Sequence, residues 1–308
     1  MLKYIYMGTP QIAARILEKL CDHEMPPALV ITQMAKPKGR GYKVTPSEVE
    51  QYARTQDLNV LETLDVNVPG TADVLKTFHA DVIVVVAFGQ ILKEGILKMP
   101  KHGCLNLHAS LLPKYRGAAP VQRAIMDGEK ETGVTIQRIV RKLDAGDIFL
   151  QEKVEILPEE TSGELLVRLA EVGGDLLLKA LKKIESGEVQ YTPQDESLVT
   201  YAKKIEKAES NLNWALPARN LFNTIRALQP WPVAQMDFQG ETLRLFKAAP
   251  VPGKAGLKPG QLETDRQTYI HVQCGDGQAL SLLEVQQEGR KRLNIADFLK
   301  GYRWPSID

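Results

Sequence analysis

Asn106 and His108 stand two residues apart at the end of a short apolar run, in GCLNLHASLLPKYRGAAP (103–120). Side chains alternate faces along a strand, so this spacing sets a carboxamide and an imidazole side by side. An imidazole, with an ordinary pKa near 6.5, accepts a proton at neutral pH. A carboxamide N–H can donate to an oxyanion forming on a carbonyl. Asp144 lies in the turn KLDAGD (142–147), where a carboxylate can orient the imidazole or pass protons with it. Ser110 is the competing nucleophile, but it lacks a G-x-S-x-G turn, and no second His accompanies the downstream Asp. Chemistry without a covalent intermediate is therefore favoured, with Asn as oxyanion donor, His as base and Asp as orienter. The blander alternative is a capping histidine and an aspartate that only serves its turn.

The surrounding elements decide whether these residues meet. Residues 2–7 are a short apolar run, followed by Gly8-Thr9-Pro10 and apolar positions at Ile12, Ala13, Ile16, Leu17 and Leu20. That pattern predicts strand, turn and helix. ALVIT (28–32) reads as a second strand, and VIVVVAF (82–88) as a central strand covered on both faces. Helical stretches alternate with them, predicting an α/β domain with a Rossmann-like, doubly wound, mostly parallel sheet. Ligands of such sheets bind at the carboxyl ends of the strands, which is where Asn106 and His108 fall. The first turn, GTPQIA, lacks the G-x-G-x-x-G of a dinucleotide site, and GRG (39–41) precedes no helical pattern.

Further along, a helix is expected over 119–127 and a hairpin of alternating strands over 133–140 and 148–156, across the Asp144 turn. A long amphipathic helix is expected over 164–184. The polar stretch 191–211 reads as a linker between a catalytic domain (1–190) and a second domain (212–308). The second domain opens on a helical pattern from Trp214 to Leu228, stopped by Pro230-Trp231-Pro232. Its later short alternating runs predict a small, OB-like β-barrel.

The chain has 308 residues, 44% hydrophobic and 25% charged, with net charge +1. A polyanionic partner must therefore be sought in local patches. The loop TQMAKPKGRGYKVT (32–45) is one, with Lys36, Lys38, Arg40 and Lys43 around Tyr42. Its glycines and proline argue against regular structure. Thr45 is expected to cap the following helix, with Pro46 in its first turn and Glu48 closing a capping box. The loop is either solvated or a phosphate-contacting segment with Tyr42 available to stack. Further basic residues are Lys203, Lys204, Arg290, Lys291 and Arg292. Cys21, Cys104 and Cys274 are scattered, and no His or Cys spacing suggests a metal. Neither a signal peptide nor a membrane span is expected, so the default is a cytoplasmic protein, with nothing demanding a dimer.

The run NLHASLLPKYRGAAP (106–120) resembles the active-site segment of 10-formyltetrahydrofolate-dependent formyltransferases, and LDAGD (143–147) resembles their second motif. Three more stretches are similar to the members acting on methionyl initiator tRNA: MGTPQIAARIL, GRGYKVTPSEVEQYA and NWALPARNLFNTIRALQPWP. The resemblance spans nearly the whole chain. It implies that Asn106, His108 and Asp144 are the catalytic trio. It implies 10-formyltetrahydrofolate as cosubstrate, bound along Phe88, Gly89, Gln90, Ile91, Leu92, Ser110, Leu111, Leu112, Pro113 and Leu143. It also implies that the 36–43 loop and the basic side of the second domain meet tRNA, with Arg40 the best-matched cation. The chain departs from the family pattern in Ala35-Lys36-Pro37, Phe88 and Asp147. Small-amine formyl transfer and a non-catalytic RNA-binding module are the rival readings.

Overall fold

The computed structural model describes residues 2–38 and 43–304, with backbone alone at 36–38, 43 and 44. The chain divides into two compact units: 1–120 with 131–155 and 166–202, and 121–130 with 156–165 and 203–308.

The first unit opens with β1 (Tyr4–Gly8) and α1 (Gln11–Asp22). Ala13, Ile16, Leu17 and Leu20 form the buried stripe of α1, one face of a 3.6-residue period. β2 (Leu29–Gln33) follows, then β3 (Lys36–Lys38) and β4 (Lys43–Thr45). The last two pair as a small antiparallel ribbon. The expectation of no regular structure over 32–45 is thus corrected. The ladder runs Lys36 to Thr45, Pro37 to Val44 and Lys38 to Lys43, so Pro37 sits inside it.

α2 (Glu48–Thr55) is capped by Ser47, whose Oγ accepts from the Glu50 N–H at 3.0 Å. Thr45 does not cap it as expected, because it pairs with Lys36 in the ribbon. Ser47 is instead buried against the Thr32 hydroxyl, 2.6 Å away. Next come β5 (Val60–Thr63), α3 (Pro69–Thr77), β6 (Val82–Val86), the short α4 (Glu94–Leu97) and β7 (Cys104–His108). After β8 (Arg116–Gly117) and α5 (Pro120–Met126) come β9 (Glu131–Arg138), β10 (Ile148–Glu155) and the long α6 (Ser162–Ser186). β11 (Tyr201–Ala202) pairs with β8 in parallel.

The main sheet runs β10-β9-β7-β6-β1-β2-β5. It is parallel from β5 to β7 and antiparallel from β7 to β10. β6 is buried throughout, as its β-branched run predicts. Ile5, Met7, Leu29, Ile31, Ile83 and Val85 build the core on one face, with Phe88, Leu92 and Leu75. On β7, a side chain at Gly173 of α6 would meet the Leu107 methyls at 3.1 Å, so α6 closes over that face. Asn106 and His108, at alternate positions, take the other.

In the second unit, α7 (Ala218–Ala227) precedes an antiparallel sheet. Its strands are β12 (Ala234–Phe238), β13 (Glu241–Pro252), β14 (Leu262–Thr264), β15 (Ile270–Gln273), β16 (Gln278–Gln287) and β17 (Leu293–Asn294). Their order is β12-β13-β16-β15-β14, with β17 also on β16. The path is open, and β13 carries irregular register around Lys247, where bulges bend a sheet. α8 (Ile295–Gly301) ends the unit, and Phe238 makes edge contacts with Phe298, Tyr302 and Trp304.

Candidate active site

The chain winds from β1 outward through β2 to β5, then returns to the other side of β1 as β6 and β7. The reversal lies between β1 and β6, whose carboxyl ends open the crevice where such sheets take ligands. Thr9 Oγ1 and Gln33 Nε2 both donate to the carbonyl of Phe88, at 3.0 and 2.7 Å, tying the segment after β6 to its neighbours. Asn106 pairs in register with Val85, so the end of β7 lies beside the same opening.

The His108 side chain is 7% exposed. Its Nε2 lies 2.9 Å from the carbonyl of Tyr115. A carbonyl only accepts, so Nε2 carries the proton and the lone pair of the neutral ring is on Nδ1. Nδ1 faces Asp144 Oδ2 at 3.8 Å, with Asp144 13% exposed. This is longer than a hydrogen bond, but a protonated ring would form an ion pair there with little water between.

The Asp144 carboxylate is itself held. Oδ2 accepts from the Gly117 N–H at 2.8 Å and Oδ1 from Gln137 Nε2 at 3.1 Å. Gln137 stands opposite Asn106 in the β7–β9 ladder, which brings the turn to the strand end. Asp144 has φ +46, a left-handed conformation that Asp tolerates better than most residues. Two residues on, a Cβ at Gly146 would lie 1.7 Å from the Arg138 carbonyl, so only glycine lets the turn close that tightly.

Asn106 is half-buried, and its carboxamide has no hydrogen-bond partner among the described residues. It is thus available to donate. Ser110 is fully buried and its hydroxyl donates to the Lys114 carbonyl at 2.7 Å, a loop-fixing bond that occupies its proton.

The residues expected along the crevice fall into two groups. Phe88 and Leu92 bury their side chains in the core, and Gln90 bonds Val66 N–H and Thr63 carbonyl. Leu112 is buried, with Leu112–Pro113 a cis bond, and Gly89 takes a positive φ. Leu111 packs toward Gly133. Ile91 and Leu143, by contrast, are 86% and 63% exposed, large apolar side chains facing solvent.

Sequence reasoning missed five supporting residues. Gln194 Nε2 lies 2.8 Å from the Asp144 carbonyl, 2.7 Å from that of Gly146 and 3.2 Å from Gln137 Oε1. Its Oε1 accepts from Nε and Nη2 of Arg116, which is fully buried. Arg116 Nη2 also donates to Glu196 at 2.8 Å, and Lys142 Nζ bonds the same carboxylate at 2.6 Å. Those bonds, Arg116's first, hold the Glu196 carboxyl down to about 2. Gln137 is the remaining member. Among the described residues no group of His, Cys, Asp and Glu is arranged to hold a metal.

Of the basic residues expected to meet RNA, Arg40 and Tyr42 lie outside the described residues, and Lys36, Lys38 and Lys43 are described by backbone alone. Lys203, Lys204, Arg290, Lys291 and Arg292 are exposed on the second unit. Arg292 stacks over Phe246 at 4.3 Å and pairs with Glu284. Among the described residues no helix is long and apolar enough to cross a membrane.

The formyl transferase family matches residues 2–181, and the formyl transferase C-terminal domain matches residues 204–303. The chain is 44% identical to the methionyl-tRNA formyltransferase of Carboxydothermus hydrogenoformans, covering 98% of this chain and 97% of the relative. It is 39% identical to that of Agathobacter rectalis, covering 97% and 96%. The structure of HypX from Aquifex aeolicus in complex with tetrahydrofolic acid has the same fold, at TM-score 0.64 and 18% identity. That likeness covers 100% of this chain, which spans only 50% of the HypX chain. By these matches the chain belongs to the formyl transferase family and within it groups with the methionyl-tRNA formyltransferases.

Proposed function

We propose that this chain transfers the formyl group of 10-formyltetrahydrofolate to the amino group of methionyl initiator tRNA, in translation initiation. The observation that carries this reading is the end-to-end likeness, 39–44% identical over both units, to relatives of that name. A small-amine enzyme would not need the second unit's basic surface.

10-Formyltetrahydrofolate supplies the formyl group, and the exposed side chains of Ile91 and of Leu143, which adjoins Asp144 in the chain, offer apolar surface to the faces of its rings. As the amine nitrogen bonds the formyl carbon, negative charge grows on the formyl oxygen, and the unpartnered Asn106 amide donates to it. His108 takes the amine proton at Nδ1, because Nε2 is committed to Tyr115. Asp144 steadies the imidazolium. Breaking the bond between the formyl carbon and the folate nitrogen then returns the proton from Nδ1 to that nitrogen. No covalent enzyme intermediate is required, in keeping with the buried, bonded Ser110.

Lys36, Lys38, Arg40, Tyr42 and Lys43 take the acceptor end of the tRNA in this reading, and the 203–204 and 290–292 cations contact its backbone. The protein acts as a cytoplasmic monomer. The deciding experiment is formyl transfer from 10-formyltetrahydrofolate to charged initiator tRNA, run beside amino-sugar and purine-precursor amines. Turnover of a small amine with none of the charged tRNA would reject the proposal.

A further inference from the structure

Gln194 lies in a polar stretch with no helical or strand periodicity, yet its carboxamide stands between a buried cation and the Asp144 turn. Its Oε1 receives Arg116 Nε and Nη2 at 3.0 and 2.7 Å. Its Nε2 meets the carbonyls of Asp144 and Gly146 at 2.8 and 2.7 Å, and Gln137 Oε1 at 3.2 Å. Two N–H groups share three acceptors, so the two carbonyls take the better bonds. Gln137 Nε2 then donates to Asp144 Oδ1 at 3.1 Å. The orientation of both amides is set by the ends of this chain, because a guanidinium only donates and a carboxylate only accepts.

We propose that Gln194 is a positioning residue for formyl transfer: it pins the 144–146 backbone and, through Gln137, aims the Asp144 carboxylate at His108 Nδ1. The inference rests on the function proposed above. Its physical basis is the conformation of Asp144. A non-glycine residue at φ +46 persists where its surroundings over-determine it. Here one side chain clamps the carbonyl of that residue and the carbonyl two residues on. The Nδ1–Oδ2 separation of 3.8 Å carries no hydrogen bond to direct it and becomes an ion-pair contact only when the ring is protonated. Its geometry therefore depends on what holds the carboxylate from behind. Arg116 is fully buried and bonds Gln194 and Glu196, so the amide also satisfies a buried charge, and the test must separate these two duties.

Two substitutions separate them. Gln194→Glu keeps an acceptor for Arg116 but turns a second acceptor toward the carbonyls of Asp144 and Gly146. Gln194→Met keeps the length and removes both functions. Each is assayed for kcat and for KM of both substrates, with melting temperature, alone and combined with Asp144→Asn. The expected result is a kcat loss of about tenfold to a hundredfold in both single variants, the scale of a small misplacement of a reacting group. Both KM values stay within about twofold, and on Asp144→Asn the added change costs less than about twofold, because the residue acts through Asp144. A Gln194→Glu protein with the parent's kcat overturns the inference, and so does a loss that multiplies fully on Asp144→Asn. Gln194→Asn, which keeps both amide functions on a shorter stem, extends the comparison should Gln194→Met not fold. A parent protein without formyl transfer refutes the proposed function, whereas an active parent matched by Gln194→Glu refutes only the role of Gln194.

Discussion

Nε2 of His108 lies 2.9 Å from the main-chain oxygen of Tyr115, and this bond decides which ring nitrogen faces Asp144. The neutral ring is expected as the Nε2–H tautomer. Nitrogen chemical shifts of the histidine ring, measured at pH above its titration, check this directly. A pyrrole-type signal from Nδ1 would rule out proton transfer at that atom. His108→Ala is expected to slow single-turnover formyl transfer by about two to four orders of magnitude, the range for a positioned general base.

Asn106→Ala should lower kcat by about two to three orders of magnitude, the scale of one lost oxyanion donor. Because the carboxamide has no other partner among the described residues, the melting temperature should hardly move. A near-parent rate in the variant would show that Asn106 is not the oxyanion donor.

Gly146→Ala places a methyl group 1.7 Å from the Arg138 carbonyl, so the β9–β10 turn must open. The expected stability loss is about 1–3 kcal/mol, the usual cost of forcing extra volume into a packed site. Activity should fall further than stability alone explains, because Asp144 rides on the same turn. Denaturant melts and kcat on one preparation test both halves of the statement.

Glu196 gives an acid-side prediction. Its carboxyl is held down to about 2, first by Arg116 and then by Lys142. A carboxyl lowered in the folded state contributes stability above its unfolded pKa, about 4.3, and loses it as pH falls toward the folded value. Glu196→Gln should therefore flatten the decline in melting temperature between about pH 5 and pH 3. Glu196 is well exposed, so the difference should be small and should shrink with salt. Parallel melting curves for variant and parent over that range would count against it.

Binding of initiator tRNA should weaken steeply with salt, since neutralised phosphates release counterions. Removing Lys38 and Arg40, or Arg290 and Lys291, should make the slope of log affinity against log salt shallower by about one per lost contact. Fluorescence titrations across salt concentrations measure that slope. An unchanged slope in both variants would remove these residues from the interface.

The placement of Asn106, His108 and Asp144 was legible in the sequence because its signals are local. The alternation at Asn106 and His108 fixed a shared face, and the Asp-Gly turn between two alternating runs placed Asp144 at the mouth of a hairpin. The doubly wound sheet followed from buried β-branched runs such as that of β6. The supporting network was not legible. Gln194 sits in a tract that looks like any solvated linker, and its partners Arg116, Gln137 and Asp144 come from three other elements. The ribbon at 36–38 and 43–45 was hidden by glycine and proline, which argue for a loop even where a ladder forms. The helix cap moved from Thr45 to Ser47 for a tertiary reason, the ribbon claiming one residue and Thr32 the other.

The one-way run of donors from Arg116 through Gln194 and Gln137 to Asp144 changes what a conservative substitution means here. Asparagine at 144 keeps the shape and tolerates the same backbone conformation, but it can give as well as receive a hydrogen bond. With that terminus ambiguous, Gln137 can turn over, and the site becomes a mixture of nearly isoenergetic arrangements. The single negative charge at Asp144 thus also removes a degeneracy: it is the reference that keeps the Gln137 amide in one of its two settings, while Arg116 and two main-chain carbonyls set Gln194.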